Sequence, residues 1–258
     1  MAKPSRSCEI TRWSGGATEP CHDFVSVEEP LQVIIDGRPL AVLMRTPGDD
    51  EFLVMGFLLT EGIIKKASQV RRLDLEAKDN HVLVFLVDNH QCDWDRLTRH
   101  LFSASSCGLC GKATIEAILQ SHPPISEKDK PTFDPEVIQN APELMRTAQT
   151  NFDSTGGIHA SAIFSKSGEL LTLREDIGRH NALDKVIGEG LTKGLNFSQS
   201  FLLVSGRISF ELMQKAIAAR LPLVAGISAP SSLAIEFAKT SNQSLIGFLR
   251  PPKMNIYR

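Results

Sequence analysis

The chain has 258 residues, 42% of them hydrophobic, with 28 lysines and arginines against 30 aspartates and glutamates. That length and apolar content suit one large α/β domain, or a core with a smaller appended lobe. A net charge of −2 gives no ground for a nucleic-acid or membrane-surface binder, so an anionic ligand has to be met by local charges.

The N-terminal "MAKPSRSCEITRWSGG" is basic but lacks an apolar stretch, so it does not read as a secretory signal. Residues 1–27 read as a polar extension without a clear period, ordered at most by docking. Apolar runs flank Asp36-Gly37 in "PLQVIIDGRPLAVLM", which predicts a β-hairpin. "TPGDDEFLVMGFLLTEGII" predicts a helix, with Asp49 or Asp50 as N-cap and Gly62 near its stop. Its apolar run "FLVMGFLL" is far too short to cross a bilayer.

Strands are expected at about 70–76 and 81–87, and "DWDRLTRHLF" as a short helix leading into "SSCGLCG". The Pro- and charge-rich segment 121–135 reads as a linker between an N-terminal α+β part (28–120) and a C-terminal α/β core (136–258). A helix near 135–149 follows, then a hairpin, "IHASAIFS" and "ELLTLRE", and a helix, "GRHNALDKVIGEGL". "SFLLVS", "FELMQKAIAAR", "LPLVAGI", "SSLAIEFAKT" and "SLIGFL" then alternate as β-α-β-α-β, the pattern of a parallel sheet with right-handed crossovers.

Cys107 and Cys110 place two thiols within mutual reach before a predicted helix, where backbone N–H groups and the helix dipole favour thiolate. Gly108, Gly111, Ser105 and Ser106 make the surroundings open and polar. A structural zinc needs four ligands, and His90 and Cys92 fall short of a second pair, so spacing argues against a resident metal. Disulfide chemistry and sulfur carriage both remain open. Five cysteines, three of them scattered as Cys8, Cys21 and Cys92, argue against a disulfide-stapled secreted domain and for a reduced, cytoplasmic protein.

"REDIGRHNALDK" (174–185) is charge-rich, which by itself suits a solvated, salt-bridged helix start. Within it His180 and Asp184 are i, i+4 neighbours, a spacing that lets a carboxylate orient an imidazole for proton or sulfur transfer. His159, after Gly156-Gly157, is a weaker signal. The loops Ser205-Gly206-Arg207 and Ser228–Ser231 follow parallel strands, where α/β sheets bind ligands, and Arg207 suits phosphate. Neither loop is a Walker A or a G-x-G-x-x-G motif. The C-terminal "GFLRPPKMNIYR" adds Arg250 and Lys253, as a tail or as one wall of an anion pocket.

Taken together, "EEPLQVIIDG", "GFLLTEGII", "SSCGLCG", "TGGIHASAIF", "REDIGRHNALDKVIG", "LVSGRISFELMQKA", "SAPSSLAIEFA" and "GFLRPPKMNIY" resemble the formate dehydrogenase accessory sulfurtransferase family, FdhD, from about residue 28 to the C-terminus. The resemblance implies a mixed sheet flanked by helices, with a core like that of cytidine deaminases, a smaller N-terminal lobe, and a homodimer. It implies a sulfurtransferase that accepts sulfane sulfur from a cysteine desulfurase as a persulfide. The sulfur passes to the molybdenum or tungsten bis(molybdopterin guanine dinucleotide) cofactor before insertion into apo-formate dehydrogenase. On this resemblance Cys107 is the usual persulfide carrier with Cys110 beside it, and the cofactor-binding segment falls on Phe248, Leu249, Arg250, Pro251, Pro252 and Lys253. GDP would mimic the cofactor's ends, with Ser205, Gly206, Arg207 and Ser228 completing the pocket.

A zinc deaminase chemistry fails at the residues, since no histidine is followed two positions later by glutamate and Ser106, not proline, precedes Cys107. One departure from many relatives is that no arginine lies closer before the cysteines than Arg99. A non-catalytic chaperone of the cofactor is the competing reading.

Overall fold

The computed structural model describes residues 3–88, 90, 92, 94 and 118–258. Strands β1 (Ser5–Ser14) and β2 (Ala17–Ser26) pair antiparallel through ten residues each, closed by Gly15 and Gly16, both at positive φ. The extension expected to lack regular structure is therefore a hairpin. Most of its side chains are exposed, so no apolar alternation marks it, while the two glycines supply the φ > 0 conformation that a two-residue hairpin turn requires. It docks through Ser26, whose hydroxyl donates to Thr155 Oγ1 (2.9 Å).

Strands β3 (Glu29–Ile35) and β4 (Arg38–Arg45) form the expected hairpin around Asp36-Gly37. β3 also pairs in parallel with β6 (His81–Leu86), and β6 pairs antiparallel with β5 (Val70–Asp74), giving the order β4-β3-β6-β5. One face of this sheet presents Leu31, Val33, Ile35, Val82, Val84 and Leu86 to the core. Helix α1 (Asp50–Thr60) is buried continuously from Leu53 to Thr60. Asp49 precedes it in left-handed conformation and forms no side-chain cap, so the expected capping carboxylate is absent.

The second sheet runs β12-β11-β10-β9-β7-β8. β7 (His159–Ser165) and β8 (Leu170–Asp176) are antiparallel, while β9 (Ser200–Val204), β10 (Leu223–Gly226) and β11 (Ser244–Arg250) are parallel. The C-terminal segment is a further strand, β12 (Lys253–Ile256), antiparallel to β11. Helix α2 (Pro135–Ala148) covers one face, burying Ile138, Ala141 and Met145 against Phe164, Phe201 and Leu249. Short helix α3 (Thr150–Thr155) follows α2.

Helices α4 (Arg179–Lys193), α5 (Phe210–Ala218) and α6 (Ser232–Ser241) share a core with α1, the other face of this sheet and the inward residues of the four-stranded sheet. One apolar cluster thus runs across both sheets, and a second lies between α2 and the other face of the six-stranded sheet. α1 and α4 touch backbone to backbone: a Cβ on Gly56 would run into the Asp184 carbonyl oxygen, and one on Gly188 into that of Phe52. Segment 121–135 lies along the C-terminal part, with Ile125 buried and bonded through its backbone to Ser241 O (3.0 Å) and Asn242 Nδ2 (2.8 Å).

Candidate functional site at the strand ends

The C-terminal ends of β9, β10 and β11 lie side by side, and the three loops leaving them are hydrogen-bonded into one platform. Ile208 N–H donates to Ala229 O (3.1 Å), Ser231 N–H to Ile208 O (2.9 Å), and Phe248 N–H to Ser228 O (3.0 Å). Arg250 Nε reaches Ile227 O at 3.3 Å. Glycines permit the closeness, since a Cβ on Gly226 would meet Ile208 and one on Gly247 would meet Pro230. The structure therefore brings together Ser205-Gly206-Arg207, Ser228 and the Phe248–Lys253 segment.

Arg207, Arg250, Pro251, Pro252 and Lys253 are exposed, and the three cations have no carboxylate partner among the described residues. Phe248 stands in left-handed conformation (φ 50°) at a bulge, a strained backbone of the kind that gathers at binding sites. Leu249 differs from its neighbours: its side chain is wholly buried beneath α2, so it can offer a ligand only backbone.

The charge-rich segment after β8 is mostly framework. Glu175 is buried and its carboxylate accepts from the N–H groups of Thr150, Asn151 and Phe152 (3.2, 2.8 and 2.9 Å), capping α3. Asp176 and Lys185 form a fully buried pair at 2.8 Å. Arg174 pairs with Glu189 at 2.8 Å.

Asp184, expected to orient His180, instead accepts from Thr60 Oγ1 (2.8 Å) and Lys215 Nζ (2.9 Å). A buried carboxylate gains more from a buried ammonium than from a neutral imidazole, so the i, i+4 spacing is overridden by contacts from α1 and α5. Lys215, which also reaches Glu61 at 3.1 Å, is held charged well above the usual lysine range by those two carboxylates, against the cost of burial.

Three nitrogens of the segment lack a hydrogen bond: Arg174 Nε, whose guanidinium keeps ion pairs to Asp49 and Glu189, and two in the first turn of α4. Arg179 Nε and His180 Nε2 are both buried and bond to no described residue. Burial, reinforced by Arg179 and Lys215, pushes the His180 pKa down to about 4, with Glu211 and Glu61 opposing. His159, at the start of β7, is also lowered, by burial and then by Arg179, with Asp176 opposing. It lies against Gly206, where a Cβ would stand 3.1 Å from its Nδ1 and 3.9 Å from Arg179 Cδ. The His159 imidazole and the Arg179 side chain thus border the Ser205-Gly206 loop. Sequence reading weighed His159 as a weak signal, and only this approach to Gly206 connects it to the platform.

Cys107 and Cys110 lie outside the described residues. The described residues flanking their segment converge on the end of α1. His90 Nε2 donates to Ile63 O (2.6 Å) while its Nδ1 accepts from Gln69 Nε2 (2.9 Å). On the other side Ile118 is buried in the core and the His122 ring lies near Gly62. That end of α1 carries Glu61, which faces His180 and Lys215. Burial, with Asp36 second, raises the Cys92 thiol pKa, making it a poorer nucleophile than an ordinary cysteine. No cluster suited to a metal ion occurs among the described residues, and no helix among them is long and apolar enough to cross a membrane.

Residues 26–258 match the model of the FdhD/NarQ family. A relative called sulfur carrier protein FdhD, from Streptomyces avermitilis, is 41% identical, with 100% of this chain and 95% of the relative covered. Its namesake from Sulfolobus acidocaldarius is also 41% identical, over 98% of this chain and 96% of that one. A crystal structure described as a formate dehydrogenase accessory protein from Desulfotalea psychrophila superposes with a TM-score of 0.80 at 22% identity, covering 99% of this chain and 97% of that one, which shows a shared fold. The chain belongs to the FdhD/NarQ family.

Proposed function

We propose that this protein is a sulfur carrier for formate dehydrogenase maturation, taking sulfane sulfur from a cysteine desulfurase and delivering it to the bis(molybdopterin guanine dinucleotide) cofactor. The observation that carries the reading is the platform of three joined strand-end loops, where Arg207, Arg250 and Lys253 are exposed without acidic partners among the described residues. An anionic dinucleotide matches such a surface, and backbone N–H groups at strand ends add to it. The relatives' name, sulfur carrier, supports the role of the cysteine pair.

In the carrier step the Cys107 thiolate attacks the terminal sulfur of the desulfurase persulfide. The donor's S–S bond breaks, the desulfurase cysteine leaves as thiolate, and a new persulfide forms on Cys107 without net oxidation. Cys110 stands three residues away, able to hold the persulfide by a thiol contact or to displace its terminal sulfur and leave a disulfide. Framework pairs such as Asp176–Lys185 keep the first turn of α4, with Arg179 and His180, fixed beside the platform.

After incubation with desulfurase and cysteine, mass spectrometry is expected to find one added sulfur on the peptide holding Cys107, absent in Cys107→Ala. A Cys107→Ala, Cys110→Ala protein that still matures active formate dehydrogenase would refute carriage and leave a chaperone that binds the cofactor.

A further inference from the structure

A cavity of about 450 Å3 opens at the end of the six-stranded sheet opposite the platform, where β10 and β11 begin and β12 ends. Along β11, Ser244 at the cavity and Phe248 at the platform are four residues apart, about 13 Å at the rise of a strand. Its walls are apolar, with Phe133 and Ile138 on one side and Leu223, Ile246 and Met254 on the other. All five belong to the apolar cluster beneath α2 or pack on it, and the Phe133 ring is held edge-on to Phe201 at 5.6 Å. The cavity is therefore an open gap in that cluster, whose apolar surface stays wet until an apolar group fills it.

One charge at its edge has no counterpart. Lys130 lines the cavity half-buried, and its ammonium makes no ion pair among the described residues. The carboxylate that acts on it, Glu127, is turned to Arg258 at 3.5 Å, and Arg258 also donates to Asn242 Oδ1 at 2.9 Å. The Arg258 main-chain oxygen is engaged as well, accepting from Leu245 N–H at 3.2 Å. Burial, and then the Arg258 guanidinium, lower the Lys130 pKa, with Glu127 opposing. The ammonium is thus partly stripped of water beside a second cation, a cost that an anion brought into the cavity would offset.

A multiply charged phosphate would lose much hydration against such walls. A single carboxylate carried on an apolar body loses less, and burial of that body is a gain. We infer that this cavity binds a small monocarboxylate with an aromatic or branched apolar body, the body between Phe133 and Ile246 and the carboxylate on Lys130. The site shares no residue with the platform, so it stands or falls apart from the cofactor reading.

Calorimetric titration of the full chain with 4-phenylbutyrate, 4-phenylbutanol and acetate tests it. The acid should bind saturably below about 10 mM, the range open to a ligand of about a dozen heavy atoms. The alcohol and acetate each lack one half of the match and should bind about fivefold more weakly or worse. Lys130→Met keeps the apolar stem and removes the charge, and should weaken the acid about fivefold or more while leaving the alcohol unchanged. Ile256→Glu, at a side chain 65% exposed, sets a carboxylate at the mouth and should weaken the acid likewise. A thermal melt confirms that each variant is folded. Equal affinity for acid and alcohol, unchanged affinity for the acid in Lys130→Met, or no saturable binding of the acid to the wild type overturns the assignment.

Discussion

His180 should make this protein acid-sensitive in a way a single substitution removes. In the folded chain its ring is held neutral down to about pH 4 by burial and by Arg179 and Lys215, against Glu211 and Glu61. In the unfolded chain an ordinary histidine titrates near 6.5. Between those values the unfolded state binds a proton that the folded state refuses, so stability falls as pH drops through 6.5 and levels off near 4.

At about 1.4 kcal/mol per pH unit the full loss is about 3 kcal/mol, and about 2 to 3 kcal/mol of it is complete by pH 4.5. Urea unfolding of wild type and His180→Leu at pH 7.5 and 4.5 isolates the effect. Carboxylates that do not face the ring titrate alike in both proteins and cancel in the difference, whereas Glu211, whose pKa is lowered partly by His180, is coupled to the ring and changes with it. At pH 7.5 the leucine variant should be as stable as wild type or more so, because a buried nitrogen without a partner is removed. Equal acid losses in the two proteins would refute the picture of a neutral, unpartnered ring.

The buried pair between α4 and α5 and the contact between α1 and α4 give two further tests. Asp184→Ala takes from the buried Lys215 ammonium one of its two carboxylates, leaving Glu61, and should cost about 3 kcal/mol in urea unfolding, most of it recovered by adding Lys215→Met; additive losses would show that the pair is not coupled. Gly188→Ala drives a methyl group into the Phe52 carbonyl oxygen and should lower the melting temperature by 10 °C or more, roughly 3 kcal/mol or more for a chain of this size. An unchanged melting temperature would mean that the helices can separate at little cost.

Most elements were legible because their signals are local. The Asp36-Gly37 turn, the period-two alternation of β3 and β6, and the β-α-β-α-β rhythm after residue 200 depend on neighbours within a few positions. The first hairpin was not, because strands wet on both faces need no alternation, and only Gly15-Gly16 betrays them. The strand-end loops were legible through topology, since ligands gather where parallel strands end.

"REDIGRHNALDK" resisted reading for the opposite reason: its partners are far away in sequence. Asp184 bonds to Thr60, 124 positions distant, and Lys185 to the Thr46 carbonyl, 139 distant. Local spacing offered His180 as Asp184's partner, and a charge-rich stretch looked like a solvated face, whereas the fold buries much of it. Buried polar groups are nearly always paired, so the structure sorts the segment by subtraction. Glu175, Asp176, Asp184 and Lys185 are accounted for by backbone, hydroxyl and ion-pair partners, which makes them framework. Arg174 Nε, Arg179 Nε and His180 Nε2 are buried without a hydrogen bond; Arg174 keeps ion pairs to Asp49 and Glu189, whereas Arg179 and His180 sit in the first turn of α4, at the edge of the platform. Local rules that fail in the framework cost nothing to function, but an unpaired donor kept at the mouth of a binding surface is stability given up, and a ligand is what would restore it.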